Sequence, residues 1–236
     1  MRHPSAIICD FGGVLTSPLI EAFIAYQETS GISFEALGGA LIGAAKAAGG
    51  RHPLFALERG EISEADFLAQ VEAQLPGGVR LHGFRDTYFA HLVPNEPMIS
   101  HVRELRSRGL RTALLTNNVR EWEPLWRAKL PEIDETFEVV VDSAFVGMRK
   151  PEPAIYELTL ERLGGGLEAG DCVFVDDIEE NCVAAAALGM HAIRFVDAGQ
   201  AIGEIERTLA DGPGAGGGRP ATRSAGRRPS SDRSSG

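Results

Sequence analysis

AIICDFGGVLT, residues 6–16, decides the fold. Four apolar residues, Ala6-Ile7-Ile8-Cys9, run without interruption into an acid followed by Phe11 and two glycines. Continuous apolarity over so short a length suits a strand buried on both faces, as in a parallel sheet covered by helices. Similar runs return at Thr112-Ala113-Leu114-Leu115, Phe137 to Val141, Cys172-Val173-Phe174-Val175 and Ala192-Ile193-Arg194-Phe195. Helical patterns alternate with them, at roughly 96–108, 119–129, 153–163, 179–188 and 201–210. Gly109, Gly164 and Gly189 stand where three of these helices should end. The alternation predicts an α/β fold, a Rossmann-like doubly wound parallel sheet.

One spacing is abnormal. Later strands follow one another at intervals normal for a βαβ unit, but the first two are separated by the long stretch 16–92. A structureless crossover of that length is implausible in a compact domain. Its pattern is helical, with helices expected at 18–29, 33–47, 53–59, 63–75 and 82–91. Ser33 with Ala36, and Ser63 followed by Asp66 in an acid version of the capping box, mark two helix starts. The expected organisation is therefore a catalytic core of residues 1–15 and 93–211, an inserted α-helical cap at 16–92, and a tail at 212–236.

The tail has seven Gly, five Ser, three Pro and five Arg, and no large aliphatic or aromatic residue, so it is expected to be disordered. Its five Arg against one Asp give +4, which leaves −14 on residues 1–211 of a net −10 chain. An acidic body argues against nucleic acid or an anionic membrane as partner. The tail's arginines lack the aromatic interleaving or hydrophobic anchor that would make it a binding arm. No apolar run is long enough to span a bilayer, and the first residues lack a signal-peptide core. Three cysteines, Cys9, Cys172 and Cys182, without CxxC spacing read as reduced thiols of a cytoplasmic protein.

Ligands of open parallel sheets sit at the carboxyl ends of the strands. Here those ends carry Asp10, then Thr116-Asn117-Asn118, then Gly147-Met148-Arg149-Lys150-Pro151, and finally Asp176-Asp177 with Asn181 beyond. Singly, each has an ordinary explanation: a turn residue, a helix cap, an exposed loop lysine. Together they place three carboxylates, a hydroxyl, an amide and one lysine on one sheet edge. Such an excess of negative charge calls for a hard divalent cation, and oxygen ligands with a phosphate-bearing substrate describe Mg²⁺.

The ordered motifs DFGGVLT (10–16), LLTNN (114–118), GMRKPEPAIYEL (147–158) and FVDDIEEN (174–181) resemble the haloacid dehalogenase-like hydrolase superfamily. The helical insertion after the first strand is similar to that superfamily's cap in its first position. ERGEIS (58–63) and GMRKPE (147–152) are most similar to the soluble epoxide hydrolase amino-terminal phosphatase and sugar-1-phosphatase branch. The resemblance implies a Mg²⁺-dependent phosphomonoester hydrolase acting through an aspartyl-phosphate on a small phosphorylated metabolite such as a sugar phosphate. Asp10 would be the nucleophile; Thr116 and the Asn117 amide would bind phosphoryl oxygens; Lys150 would offset charge. Mg²⁺ would be held by Asp10, the Gly12 carbonyl and Asp177, with Asp176 direct or through water. Asn118 would contact substrate or cap, and Asn181 would orient the carboxylates. A homodimer is the expected assembly.

One departure matters. The superfamily's phosphatases commonly carry a second Asp two residues after the nucleophile, as acid for the leaving alcohol; here that position is Gly12. Losing such an acid is worth roughly 10²–10⁴-fold in rate. A good leaving group, a stand-in donor such as Glu58, Glu61 or His52, or a weakly active or non-catalytic binding relative are the three explanations. A 2-haloacid dehalogenase would also use Asp10, but needs no metal, against which Asp176-Asp177 argues. The histidines show no zinc spacing, the glycine clusters no phosphate-loop lysine, and Trp122 and Trp126, at i and i+4, read as helix packing.

Overall fold

The computed structural model describes residues 3–210, so the expectation of disorder at 212–236 lies outside the described residues. In chain order the elements are β1 (Ala6–Cys9), α1 (Leu19–Ser30), α2 (Phe34–Ala47), α3 (Pro53–Glu58), α4 (Glu64–Glu72), α5 (Phe84–His91), α6 (Glu96–Ser107), β2 (Arg111–Thr116), α7 (Glu123–Lys129), α8 (Ile133–Thr136), β3 (Val139–Asp142), α9 (Ser143–Val146), α10 (Pro153–Leu163), β4 (Cys172–Asp176), α11 (Glu179–Ala187), β5 (His191–Arg194) and α12 (Ala198–Ala210). The sheet is wholly parallel in the order β3-β2-β1-β4-β5.

Strand periodicity explains the unbroken apolar runs. Ile7 and Cys9 turn to one face and pack with Met98 and Val102 of α6, Trp126 of α7 and Ile205 of α12. Ala6 and Ile8 turn to the other face, against Ile155 and Tyr156 of α10 and Ala185 of α11. A strand covered on both sides cannot alternate with polar residues, so the doubly wound expectation holds. Cys9, Cys172 and Cys182 are free and buried. No helix among the described residues is long and apolar enough to cross a membrane.

Between β1 and β2 the chain builds α1–α5 around a core of its own that includes Tyr26, Leu57, Phe67, Val71 and Leu81. The Ser33 hydroxyl caps α2 by accepting from the Ala36 N–H, and Ser63 and Asp66 form the reciprocal box at α4. The outgoing and returning connections lie side by side: Thr16 bridges Pro94, the Ser17 N–H donates to the Val93 carbonyl at 2.7 Å, and the Asn95 N–H donates to the Leu15 carbonyl at 2.9 Å.

Two expectations shift. The third strand begins at Val139 rather than Phe137, because Ile133–Thr136 coil into a helical turn that the Phe137 N–H closes onto the Ile133 carbonyl. The single helix expected at 119–129 is two pieces, a 3₁₀ turn at Arg120–Trp122 and then α7. Pro124 sits in the first turn of α7 and has no N–H to continue a preceding helix, so the ladder restarts there.

Candidate active site

Parallel pairing brings the polar strand ends together. Cys9 is level with Leu114 and with Val175, so the next residues on β1 and β4, Asp10 and Asp176, emerge side by side, and Thr116 ends β2 beyond them. Lys150, in the loop between α9 and α10, reaches into this edge and is only 1% exposed. Its Nζ donates to Asp10 Oδ1 at 2.7 Å and to Asp176 Oδ2 at 2.6 Å.

Asn117 sets that lysine in place. The Asn117 Nδ2 donates to the Lys150 carbonyl at 2.9 Å, and the Lys150 N–H donates to Asn117 Oδ1 at 2.8 Å. Both polar ends of the side chain thus bond the backbone of Lys150, which leaves one Nδ2 hydrogen and the main-chain amide for other partners. Asn118 donates its N–H to Ser143 Oγ at 3.0 Å and caps Val119 with Oδ1 at 2.9 Å.

The two adjacent acids differ. Asp176 is fully buried and accepts from Lys150, from the Ile178 N–H at 2.8 Å, and from Asn181 Nδ2 on both oxygens, at 3.0 and 3.1 Å. Four contacts fill the lone-pair capacity of a carboxylate, so Asp176 and Asn181 are the anchor of Lys150. Asp177 is half-buried and makes no ion pair among the described residues. Burial first, then neighbouring Asp176, pushes its carboxyl above the ordinary range. Asp10 is pushed up as well, by burial, with Lys150 opposing and Asp176 and Asp177 adding to it. Burial also works against a charged Lys150, but Asp10 and Asp176 outweigh it and hold the ammonium above its usual range.

Asp10, Asp176 and Asp177 each offer an oxygen within 4.8 Å of the others. Three carboxylates with one ammonium leave two negative charges uncompensated in a desolvated edge, which is the donor set and charge that a hard divalent cation fits. The Asp177 carboxylate, without an ion pair among the described residues, is the group with room for it.

Glycines shape the same turn. A β-carbon at Gly12 would meet Leu19 Cδ2 at 3.0 Å, so the first residue of α1 occupies the space an acid at position 12 would need. Gly13 has φ of +79° and a β-carbon there would overlap Asp177 Oδ2. Left-handed backbone costs a residue with a β-carbon roughly 1–2 kcal/mol, and Asp177 must also move. Gly13→Ala should therefore unfold roughly 2–8 °C lower than wild type and lose the stabilisation that added Mg²⁺ gives wild type. Thermal melts with and without Mg²⁺ check both; an unchanged Mg²⁺ response would separate Gly13 from the metal.

The cavity above this edge holds about 580 Å³ and is lined by Asp10, Thr116, Asn118, Lys150 and Asp177 on the sheet side and by α1–α5 on the other. Of the stand-in acids, only Glu58 lines it, and the Arg149 guanidinium donates to Glu58 Oε2 at 2.6 Å. Burial pushes Glu58 up and Arg149 opposes it. Glu61 is exposed, and His52 stacks on Phe55 at 4.5 Å. Arg59 pairs with Glu152 beside the Glu58–Arg149 pair, so ERGEIS and GMRKPE clasp each other.

Sequence alone does not single out Gly13, beside the departure at Gly12, or Tyr88, in α5 outside any motif; Trp122 packs against the core and lines the cavity as well. Burial, with Asp10 and Asp177 adding to it, raises the Tyr88 phenol, which therefore stays protonated.

A doubly wound sheet with an acid–lysine–acid cluster at its carboxyl edge and helices inserted after the first strand defines a class of Rossmann-like hydrolases. The chain belongs to the haloacid dehalogenase-like hydrolase family, whose model matches residues 4–189. Mouse (Mus musculus) acyl-CoA dehydrogenase family member 10 is 29% identical over 214 residues, 88% of this chain but 19% of that protein's length. A sesquiterpene phosphatase of Aspergillus oryzae is 34% identical over 149 residues, 59% of this chain and 70% of its own. A family enzyme of Bacteroides thetaiotaomicron, in complex with magnesium and inorganic phosphate, shares the fold at a TM-score of 0.60 and 21% identity, over 81% of this chain and 93% of that one.

Proposed function

We propose that this hydrolase cleaves phosphomonoesters with Mg²⁺, through an aspartyl-phosphate on Asp10. The observation that carries the reading is the Lys150 bridge: with Oδ1 of Asp10 held at 2.7 Å, Oδ2 is the oxygen left to attack. The sesquiterpene phosphatase relative and the magnesium and phosphate in the Bacteroides structure support it.

Asp10, the Gly12 carbonyl and Asp177 would hold the ion, with Asp176 behind them. When bound, Mg²⁺ supplies positive charge against the phosphoryl oxygens. Thr116 and the Asn117 main-chain amide bind those oxygens, and Asn118 faces the leaving group. Asp10 attacks phosphorus as the P–O ester bond breaks, the departing oxygen takes a proton from solvent water to leave as the alcohol, and a second water then cleaves the acyl phosphate to release phosphate and restore the carboxylate. Lys150 stays charged throughout and keeps Asp10 oriented. Residues 16–92 act as a cap that excludes water from the reacting groups.

Phosphate release from a phosphomonoester panel, with Mg²⁺ and in excess chelator, tests this. Chelator should abolish release and Mg²⁺ should restore it. Equal release in chelator would remove the metal from the reaction, and halide release from a 2-haloacid without metal would replace the phosphatase with the dehalogenase-type reaction.

A further inference from the structure

The cavity has two unlike ends. Its polar groups cluster on the sheet side, where the strand ends and the α11 start contribute Asp10, Thr116, Lys150 and Asp177. The opposite end is hydrocarbon. Aromatic rings of Phe23, Phe84, Tyr88 and Trp122 form one wall, with Phe23–Phe84 centroids 5.7 Å apart, Phe84–Trp122 6.2 Å and Tyr88–Trp122 5.1 Å. Leu37 and Leu41 of α2 and Leu68 of α4 form another, each only half-buried because it faces the space.

Among the described residues of 16–92 that line the cavity, Glu58 is the one charged group, and Arg149 occupies it. Arg149 itself lies 4.0 Å over the Phe55 ring, with its Nε spent on Glu58. The one other polar group of that stretch on the lining is the Tyr88 hydroxyl, which lies toward Asp10 and Asp177; no serine, threonine, asparagine, glutamine, histidine or lysine of the stretch lines the space. The Trp122 indole N–H, the polar handle of its wall, is turned to Glu64 Oε1 at 2.8 Å. A sugar in this space would bury hydroxyls without partners, which is unfavourable, whereas a hydrocarbon gains by leaving water. The volume is that of a site for a small organic ligand.

We propose that the substrate is the phosphomonoester of an apolar alcohol, its phosphate at the strand ends and its hydrocarbon among α1, α2, α4 and α5. The proposal rests on the phosphatase reading and replaces the sugar phosphate expected from sequence resemblance. Chain alcohols and aryl alcohols share this chemistry.

The test measures kcat/KM of the full chain with Mg²⁺ for ethyl, butyl, hexyl and octyl phosphate, for naphthyl phosphate, and for glucose 1-phosphate. Binding of the matching alkyl phosphonates, which cannot be hydrolysed, is measured by calorimetry in parallel. We expect kcat/KM to rise about threefold to fourfold per methylene until the cavity fills, with glucose 1-phosphate at or below ethyl phosphate. Octyl above naphthyl assigns a chain alcohol, and the reverse an aryl one. Leu41→Asn should lower kcat/KM for octyl phosphate at least tenfold more than it lowers that for ethyl phosphate, flattening the chain-length series. Should that variant not fold, Leu41→Trp should shift the preferred chain to a shorter one. A flat series, or preference for glucose 1-phosphate, overturns the proposal. If no ester releases phosphate, the phosphatase reading fails by itself; phosphonate affinity that rises with chain length then still upholds the apolar cavity, and flat affinity overturns it.

Discussion

Lys150→Met should cost about 3–5 kcal/mol of stability and abolish phosphate release. The reason lies in what the side chain leaves behind. Lys150 Nζ sits between Asp10 and Asp176 at 2.7 and 2.6 Å, and all three groups are buried. Methionine fills the same volume, so packing survives, but two carboxylates then face each other without a cation. They respond by protonating. A carboxyl whose folded pKa stands above its unfolded value binds extra protons in the folded state, so stability falls as pH rises between the two values. Asp10 is already raised in wild type, and the variant raises it further. The deficit should therefore be largest at neutral pH and shrink as pH falls toward the ordinary carboxylate range near 4. At roughly 2–4 °C per kcal/mol for a chain of this size, the melt should drop by roughly 6–20 °C at pH 7. Lys150→Arg should not rescue it, because a planar fork does not fit where a compact ammonium bridges two acids. A melt within a degree or two of wild type at pH 7 would show that the bridge contributes little.

The site's membership was readable from the chain, but its wiring was not. Four strand ends, or the loops that follow them, carry polar residues, and parallel sheets gather such ends at one edge, so the sequence groups Asp10, Thr116, Lys150, Asp176 and Asp177. What each side chain bonds to depends on residues distant in sequence. Asn117 and Lys150 are 33 apart, and nothing local distinguishes an asparagine that clamps a loop from one that caps a helix or binds phosphate. Asp176 and Asp177 look alike as letters; β4 turns the first inward to Lys150 and Asn181, and the second faces Gly13. Trp126 is buried in the core and Trp122 packs against it, as their spacing predicts, although Pro124 divides the helix and Trp122 also lines the cavity.

The cavity was less legible still. Helical periodicity says that Leu37, Leu41 and Leu68 lie on an apolar face, and is silent on whether that face meets another helix or an empty space. Only the assembled helices show both kinds of position: Val71 of α4 is fully buried in the local core, and Leu68, one turn earlier, opens to the cavity. Substrate class is therefore carried by the part of the chain without motifs. The same holds for the missing acid. Gly12 is visible as a departure in the sequence, but only packing shows that Leu19 has taken its space, so that the loss of the acid and the apolar character of the cavity are one feature.

Asp10→Asn should reduce phosphate release by roughly 10³–10⁶-fold, the range in which loss of a covalent nucleophile falls, without loss of stability. Asparagine keeps the shape of the side chain, and its Oδ1 can still accept from Lys150. Lys150 also retains Asp176 at 2.6 Å, so no buried cation is stranded. The cluster's uncompensated charge falls from two to one, and the carboxyl that burial first, then Asp176 and Asp177, push up is gone. In the absence of metal the variant should therefore melt at or above the wild-type temperature, while its stabilisation by added Mg²⁺ weakens, because one of the proposed ligands no longer carries charge. The contrast with Lys150→Met is what makes the pair informative. Both variants lose turnover, but one loses the fold's charge balance and the other improves it, so inactivity with opposite shifts in melting separates chemistry from folding. Residual turnover within tenfold of wild type in Asp10→Asn would remove Asp10 as nucleophile, whatever the melt shows. A melt well below wild type would instead mean that the Asp10 charge holds Lys150 in place more strongly than Asp176 does.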